Sequence, residues 1–193
     1  MNPDTKAQLI DKHRYINVDH DDWYECVYAE FTERMRDEIG VDVEKIYFSG
    51  FGSQGDGACF IGEVEDFPKL MTHYNLTPEY PMLSKLLEMG GRAQCSLSHR
   101  GRYYHDDSVS FDWDIDVFTD CMVVSSLFIE LVVERFDILL DVEKDKFMVE
   151  VESCLKAEMR QLYRDLQREH DAFTTDESVW DTIVANELDK EQV

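Results

Sequence analysis

Three groups of residues in this sequence have types and spacings that bear on chemistry. Gly50-Phe51-Gly52-Ser53-Gln54-Gly55 spells G-x-G-x-x-G directly after a β-rich run. A dinucleotide site of that pattern needs a helix immediately afterwards, whose N-terminal amides hold the pyrophosphate. Here a second β-rich run, ACFIGEV, follows instead. The glycines therefore read as a hairpin loop with positive φ, in which Asp56 caps local amides. Ser53, Gln54 and Asp56 stay candidates for ligand binding, because loops held by rigid strands often carry function.

The second group is a basic window. From Met89 to His105 there is no acidic residue, while Arg92, His99, Arg100, Arg102 and His105 all fall there. This is the place in the chain where an anion or nucleotide could be held, with Arg100 and Arg102 flanking Gly101. The competing reading is a set of ion pairs to neighbouring carboxylates, or a solvated turn. A zinc site from Cys95, His99 and His105 lacks a fourth ligand, and closed structural sites need four, so no metal is expected. His99 or His105 as a general base has no nucleophile or orienting acid that sequence places beside it, so no catalytic residue is assigned.

The third group is Asp112, Asp114 and Asp116, which recur at intervals of two within a strongly alternating run. On a strand their carboxylates project from one face about 6.5 to 7 Å apart. A calcium loop fails, since the sixth position is Val117 and the twelfth is Val123, where an EF-hand needs Gly and Glu. What remains is either a row of charge suited to a basic, phosphate-binding groove on a partner, or simply the wet face of a half-buried strand. Asp is a poor strand former, so three in one strand point to a demand beyond β preference.

The elements that must carry these groups can be read from punctuation and periodicity. All nine glycines lie between Gly40 and Gly101 and all four prolines at or before Pro81, so a mixed part (1–118) gives way to a helical part (119–193). With no repeat and no low-complexity linker, a single α+β domain is expected over 1–193. A helix from near Asp19 or Asp21 carries Trp23, Val27, Phe31 and Met35 on one face and stops at Gly40. KIYFSGF and ACFIGEV form a first hairpin around GSQGDG. A short helical or irregular stretch lies between Pro68 and Pro78, and a helix opens at Pro81 and closes at Gly90 and Gly91. A second hairpin pairs Ala93, Cys95 and Leu97 with Val109, Phe111, Trp113, Ile115 and Val117, turning at His99 to Gly101. Thr119 is placed as the N-cap of a helix to about Leu140. The polar DVEKDK either joins this helix to or separates it from another, Phe147 to about His170. Thr174 with Glu177 suggests a capping box for a last helix to about Leu188. The sum is one four-stranded antiparallel sheet packed by four or five helices, with long C-terminal helices. A seam of Phe147, Val151, Leu155, Met159, Leu162 and Leu166 reads as core. Any part of it left exposed would make a homodimer possible.

Bulk composition narrows the function classes. The 193 residues include 42 Asp plus Glu against 19 Lys plus Arg, a formal charge of −23. That excludes a protein that clamps nucleic acid through a broad basic face, and it favours a basic partner. The 44% hydrophobic content is enough for a core. Five cysteines, an odd number without any CxxC pair, read as buried thiols in a reducing cytoplasm. The N-terminus MNPDTKAQLIDKHRY has no apolar core and no small-residue cleavage site, so no secretory signal is expected. The apolar stretch Cys121 to Leu140 is interrupted by Glu130, Glu134, Arg135 and Asp137, which rules it out as a membrane span.

The runs IYFSGFGSQGDGACFIG (Ile46 to Gly62), HRGRYYH (His99 to His105) and YRDLQREHDAFTTDESVWDTI (Tyr163 to Ile183) resemble a family of small phage and prophage proteins. Its members carry a label of the toxin-antitoxin stability system antitoxin type. The sequence departs from that resemblance at Gly52, where relatives carry an aromatic. The resemblance implies a phage or prophage origin and the cytoplasm of a bacterial host; it supplies no reaction. Two functions are therefore expected to compete. The first is a non-enzymatic, antitoxin-like or anti-defence protein that presents Asp112, Asp114 and Asp116 to a basic host protein, with no cofactor, no direct nucleic acid and no membrane. The alternative is a small-molecule or nucleotide-binding domain, or an enzyme. Its site would lie between the SQGDG loop and the His99 to His105 tip.

Overall fold

The computed structural model describes residues 3–20, 22–88, 91–116 and 127–190, with the side chains of 116 and 127–139 left aside. The chain is a mixed α+β protein built on one four-stranded antiparallel sheet of order β1-β2-β3-β4, together with six α-helices. It divides into two compact units, Thr32–Gln161 and the pair of segments Met1–Phe31 and Leu162–Val193.

The unit over 32–161 holds the sheet. Helix α2 (Glu25–Arg34) passes into one π-helical turn, Met35–Ile39, which ends at Gly40 with φ 85°. The turn buries both Met35 and Ile39 completely. Strand β1 (Val41–Ser49) pairs with β2 (Gly57–Val64), and the register slips between Val43 and Lys45, leaving Glu44 as the extra residue of a bulge. Asp66 caps α3 (Phe67–His73), its carboxylate accepting from the Lys69 amide at 2.9 Å. Helix α4 (Pro81–Glu88) receives a comparable cap from far along the chain, because Glu143 accepts from the Leu83 amide at 2.9 Å. These side-chain acceptors satisfy donors that a helix start otherwise leaves open.

Strands β3 (Arg92–His99) and β4 (Val109–Asp116) form the second hairpin, in the register Cys95↔Trp113 and Leu97↔Phe111. The alternation read from sequence is realised. Cys95 and Leu97 are buried, while their neighbours Gln94, Ser98, Asp112 and Asp114 are exposed. Helix α5 (Leu127–Phe173) packs Phe147 against Phe67, Tyr80 and Trp113, with ring centroids 5.3 to 6.2 Å apart. Trp113 Nε1 donates to Glu152 at 3.0 Å. The DVEKDK segment lies inside α5, so the two helices expected on either side of it are one. Its Glu and Lys are good helix formers, and although Asp and Val are weaker ones, none breaks the backbone. All six seam residues from Phe147 to Leu166 are fully buried within the chain itself.

The other unit contains a helix that sequence periodicity did not reveal, α1 (Pro3–Lys12), because only Leu9 and Ile10 of it are buried. These two pack with Val179 and Ile183 of α6 (Asp176–Ala185). Arg14 pairs with Asp176 and with Asp11, and Asn17 donates to the Phe173 carbonyl at 2.9 Å and to Ser178 Oγ at 3.0 Å. The N-cap moves by one residue, and because Ser178 then stands where a capping box needs Glu or Gln, the expected box with Glu177 does not form. Thr175, not Thr174, is the N-cap, accepting from the Ser178 amide at 3.2 Å. Thr174 instead donates its hydroxyl to the His170 carbonyl. Thr119, Cys121, Val117, Val123 and Gly90 lie outside the described residues. Among the described cysteines all are free thiols; Cys59 and Cys95 are buried, whereas Cys26 is exposed, contrary to the expectation of buried thiols throughout.

Candidate functional site

In an antiparallel β1-β2-β3-β4 sheet the β1–β2 and β3–β4 connections leave from the same end. The second connection is longer than the turn expected at His99 to Gly101. It covers residues 100–105 and a 3-10 turn, Asp106–Ser108, and is closed by the Arg100 amide donating to the Ser108 carbonyl at 2.7 Å. The extra residues bring Tyr103, Tyr104 and His105 back onto the first hairpin.

The two tips are in contact. A Cβ built on Gly55, whose φ is +97°, would stand 2.3 Å from Cδ1 of Tyr103, so the ring rests directly on the glycine. Two residues on, at the start of β2, Gly57 lies against the Tyr104 carbonyl and His105. Below them, Tyr47 of β1 stacks on His99 at 4.8 Å and on Tyr104 at 5.4 Å, and His99 Nε2 donates to the Tyr103 carbonyl at 2.8 Å. Tyr103 and His105 stack at 6.1 Å, and Lys45 Nζ sits 4.6 Å above the Tyr47 ring. Offset ring pairs of this kind add to burial and hold the two loops in one arrangement.

Charge at this end is divided. Arg102 lies over the Tyr103 ring at 5.1 Å and donates to its hydroxyl oxygen at 3.0 Å. Among the described residues neither Arg100 nor Arg102 is within ion-pair distance of a carboxylate, although other cations of the same unit are paired. Both side chains are exposed. Of the two readings of the basic window, the one with neighbouring carboxylates as partners finds no support there.

In the SQGDG loop one backbone amide is already taken. Asp56 accepts from the Ser53 amide at 2.6 Å, and the Asp56 amide donates to the Ser53 carbonyl at 3.1 Å. The loop's own carboxylate thus occupies the position a phosphate would take, as expected for a capped hairpin loop. Ser53 and Gln54 are exposed on the same loop. At its base, opposite Gly57, the Ser49 hydroxyl is buried and has no hydrogen-bond partner.

Sequence reasoning did not single out His105, Asp106 and Asp107 as a set. Their ligand atoms all lie within 4.8 Å of one another. Asp106 is already engaged by Arg160 and Asp107 by Lys156 at 3.4 Å, both from α5. A cation there would have to displace a guanidinium and an ammonium, so the cluster serves to tie the 3-10 turn to α5. The sequence signal for it was present only as cations at 156 and 160, one helical turn apart. Burial of the nearby thiols pushes Cys59 and Cys95 up to about 12, with Asp106 reinforcing Cys59 and Glu152 and Asp112 reinforcing Cys95. Neither is a nucleophile near neutral pH.

The acidic row stands apart from the tips. Asp112 faces Ser96 and Asp114 faces Gln94 on β4, at the border of the sheet. Both are exposed, and among the described residues neither makes an ion pair. The Asp116 side chain lies outside the described residues.

No helix of the described residues is long and apolar enough to cross a membrane. Neither the curated proteins nor the solved structures hold a match to the chain. A family described as a domain of unknown function, DUF8835, matches residues 23–176, a span that takes in both hairpins and all of α5; the chain belongs to that family.

Proposed function

We propose that this protein binds a small anionic ligand of the nucleotide class at the joint tip of its two hairpins, without catalysing a reaction on it. The observation that carries this reading is the contact of the tips beside two guanidiniums that have no carboxylate within ion-pair distance among the described residues. The chain has 23 more acidic than basic groups, so carboxylates are the charged neighbours an exposed arginine would most often meet. Leaving Arg100 and Arg102 unmatched preserves the planar fork that grips phosphate or carboxylate oxygens. Tyr103 lies beside them, its ring carrying the Arg102 guanidinium on one side. Phage origin and the antitoxin-like label bear on where such binding would matter, not on its chemistry. The test is thermal denaturation against inorganic phosphate, citrate and nucleoside mono-, di- and triphosphates. A ligand at a hundredfold over its Kd adds about 2.7 kcal/mol, and Arg100→Ala with Arg102→Ala should erase the shift. A flat panel for the native chain defeats the reading.

A second reading rests on a different observation, the exposed and unpaired Asp112 and Asp114 on the border strand. It is the recognition of a basic or nucleic-acid-binding host protein by the acidic face, in the manner of an antitoxin or a host-defence inhibitor. Association with such a partner should weaken steeply between about 0.05 and 0.5 M salt. It should also weaken in Asp112→Asn/Asp114→Asn while leaving phosphate binding untouched. A complex indifferent to both changes would count against it.

A further inference from the structure

The SQGDG loop closes on the other tip, and that contact has one consequence for the cations. Tyr103 touches both hairpins at once. Its ring rests on Gly55 of the first. Its hydroxyl oxygen accepts from Arg102 at 3.0 Å, and its face lies 5.1 Å beneath that guanidinium. Its carbonyl takes the proton of His99 Nε2 at 2.8 Å, which fixes the residue's backbone to the end of β3. We propose that Tyr103 is the positioning residue of the anion site and Gly55 is its socket, so that the first hairpin sets where the Arg102 guanidinium points. This rests on the reading of the joint tip as an anion site.

The chemistry follows from what a free arginine would do. An exposed arginine samples many rotamers, and ordering it on ligand binding costs part of the interaction. Holding the guanidinium over a ring and against a hydroxyl removes much of that disorder before the ligand arrives. The ring can do this only if it is itself immobile. Gly55 provides for that: any side chain there would overlap the ring, and the positive φ disfavours one independently. Arg100, with no such support from a side chain, remains the adaptable member of the pair. Ser53 and Gln54 then border the site without being required for its charge.

The experiment is titration of the full chain with inorganic phosphate and with adenosine monophosphate by NMR, in the native protein, Tyr103→Phe, Tyr103→Leu and Gly55→Ala. The native Gly55 Hα should carry a ring-current shift from Tyr103. Tyr103→Phe should keep that shift, keep the thermal midpoint, and bind the probes about three- to tenfold more weakly through loss of the hydroxyl bond. Tyr103→Leu and Gly55→Ala should lose both the shift and the binding. Native binding that persists unchanged in Tyr103→Phe overturns the positioning role while leaving the anion site standing. A native Gly55 Hα without a ring-current shift overturns the socket. Absence of any native binding overturns the anion site, and with it the role assigned to Tyr103.

Discussion

Tyr74 shows how single side chains are constrained in this molecule. Its hydroxyl donates to Glu158 at 3.1 Å, and Arg34 pairs with the same carboxylate at 2.6 Å. Burial, then the charge and hydrogen bond of Glu158, push the phenol well above its ordinary range. Glu158→Ala should therefore remove the acceptor that two partly buried donors share and cost about 2 kcal/mol in urea unfolding, whereas a loss below about 0.5 kcal/mol would show the network to be inert. The buried thiols make a pH prediction. Cys59 and Cys95 have ordinary values of 9.0 that folding raises to about 12. Below pH 9 both folded and unfolded chains keep these protons, so stability is unaffected. Between 9 and 12 the unfolded chain loses them first, so stability falls by up to about 1.4 kcal/mol per pH unit for each thiol. The Cys59→Ala/Cys95→Ala variant should lose stability at pH 7 and yet show a shallower decline over that window. Residue identity made the basic window and the SQGDG loop legible in the sequence. It could not reveal that Arg100 and Arg102 escape the surrounding carboxylates, which depends on tertiary placement across the sheet.

At the level of elements, local patterns were readable where one face is buried and the other wet. The β4 alternation and the α5 seam are of that kind, with Trp113 and Phe147 meeting as their periodicities require. Helix α1 escaped notice because two buried residues in ten make no stripe. The second turn was read too short because the Arg-Gly-Arg signal marks where a strand ends, not how many residues return. The capping assignment at Thr174 missed by one because the Thr-x-x-Glu spacing favours it, whereas backbone geometry makes Thr175 a simple N-cap without a box. Thr175→Ala should cost about 1 kcal/mol through the lost cap, more than Thr174→Ala, as read from thermal midpoints. The continuity of α5 through DVEKDK predicts that Asp145→Pro, at an exposed position, costs about 3 kcal/mol or more while Asp145→Ala costs little. Equal midpoints for the two variants would show that the helix is interrupted there.

For the molecule as a whole, the excess of 23 negative charges is distributed over both units. Ion pairs such as Arg14 with Asp176 and Arg160 with Asp106 use up cations without balancing the total. Self-repulsion of this size should make the thermal midpoint rise as sodium chloride is added up to about 0.5 M, where screening shortens the Debye length to a few ångströms. The second functional reading requires that same charge to be spent on a partner. Its complex should therefore weaken under the conditions in which the free chain becomes more stable, a crossing that a ligand held by Tyr103-supported Arg102 would not show to the same degree.

The extra residue at Glu44 has a bearing on how this chain behaves in crowded solution. Strand β1 borders the sheet, and straight borders recruit passing chains into fibrils. The bulge puts a kink and an exposed carboxylate in that border, so another molecule finds no continuous ladder to extend. Deleting Glu44 would restore an even pleat, and the cost of that tidier strand should appear as thioflavin-positive aggregate in a protein that otherwise stays dispersed.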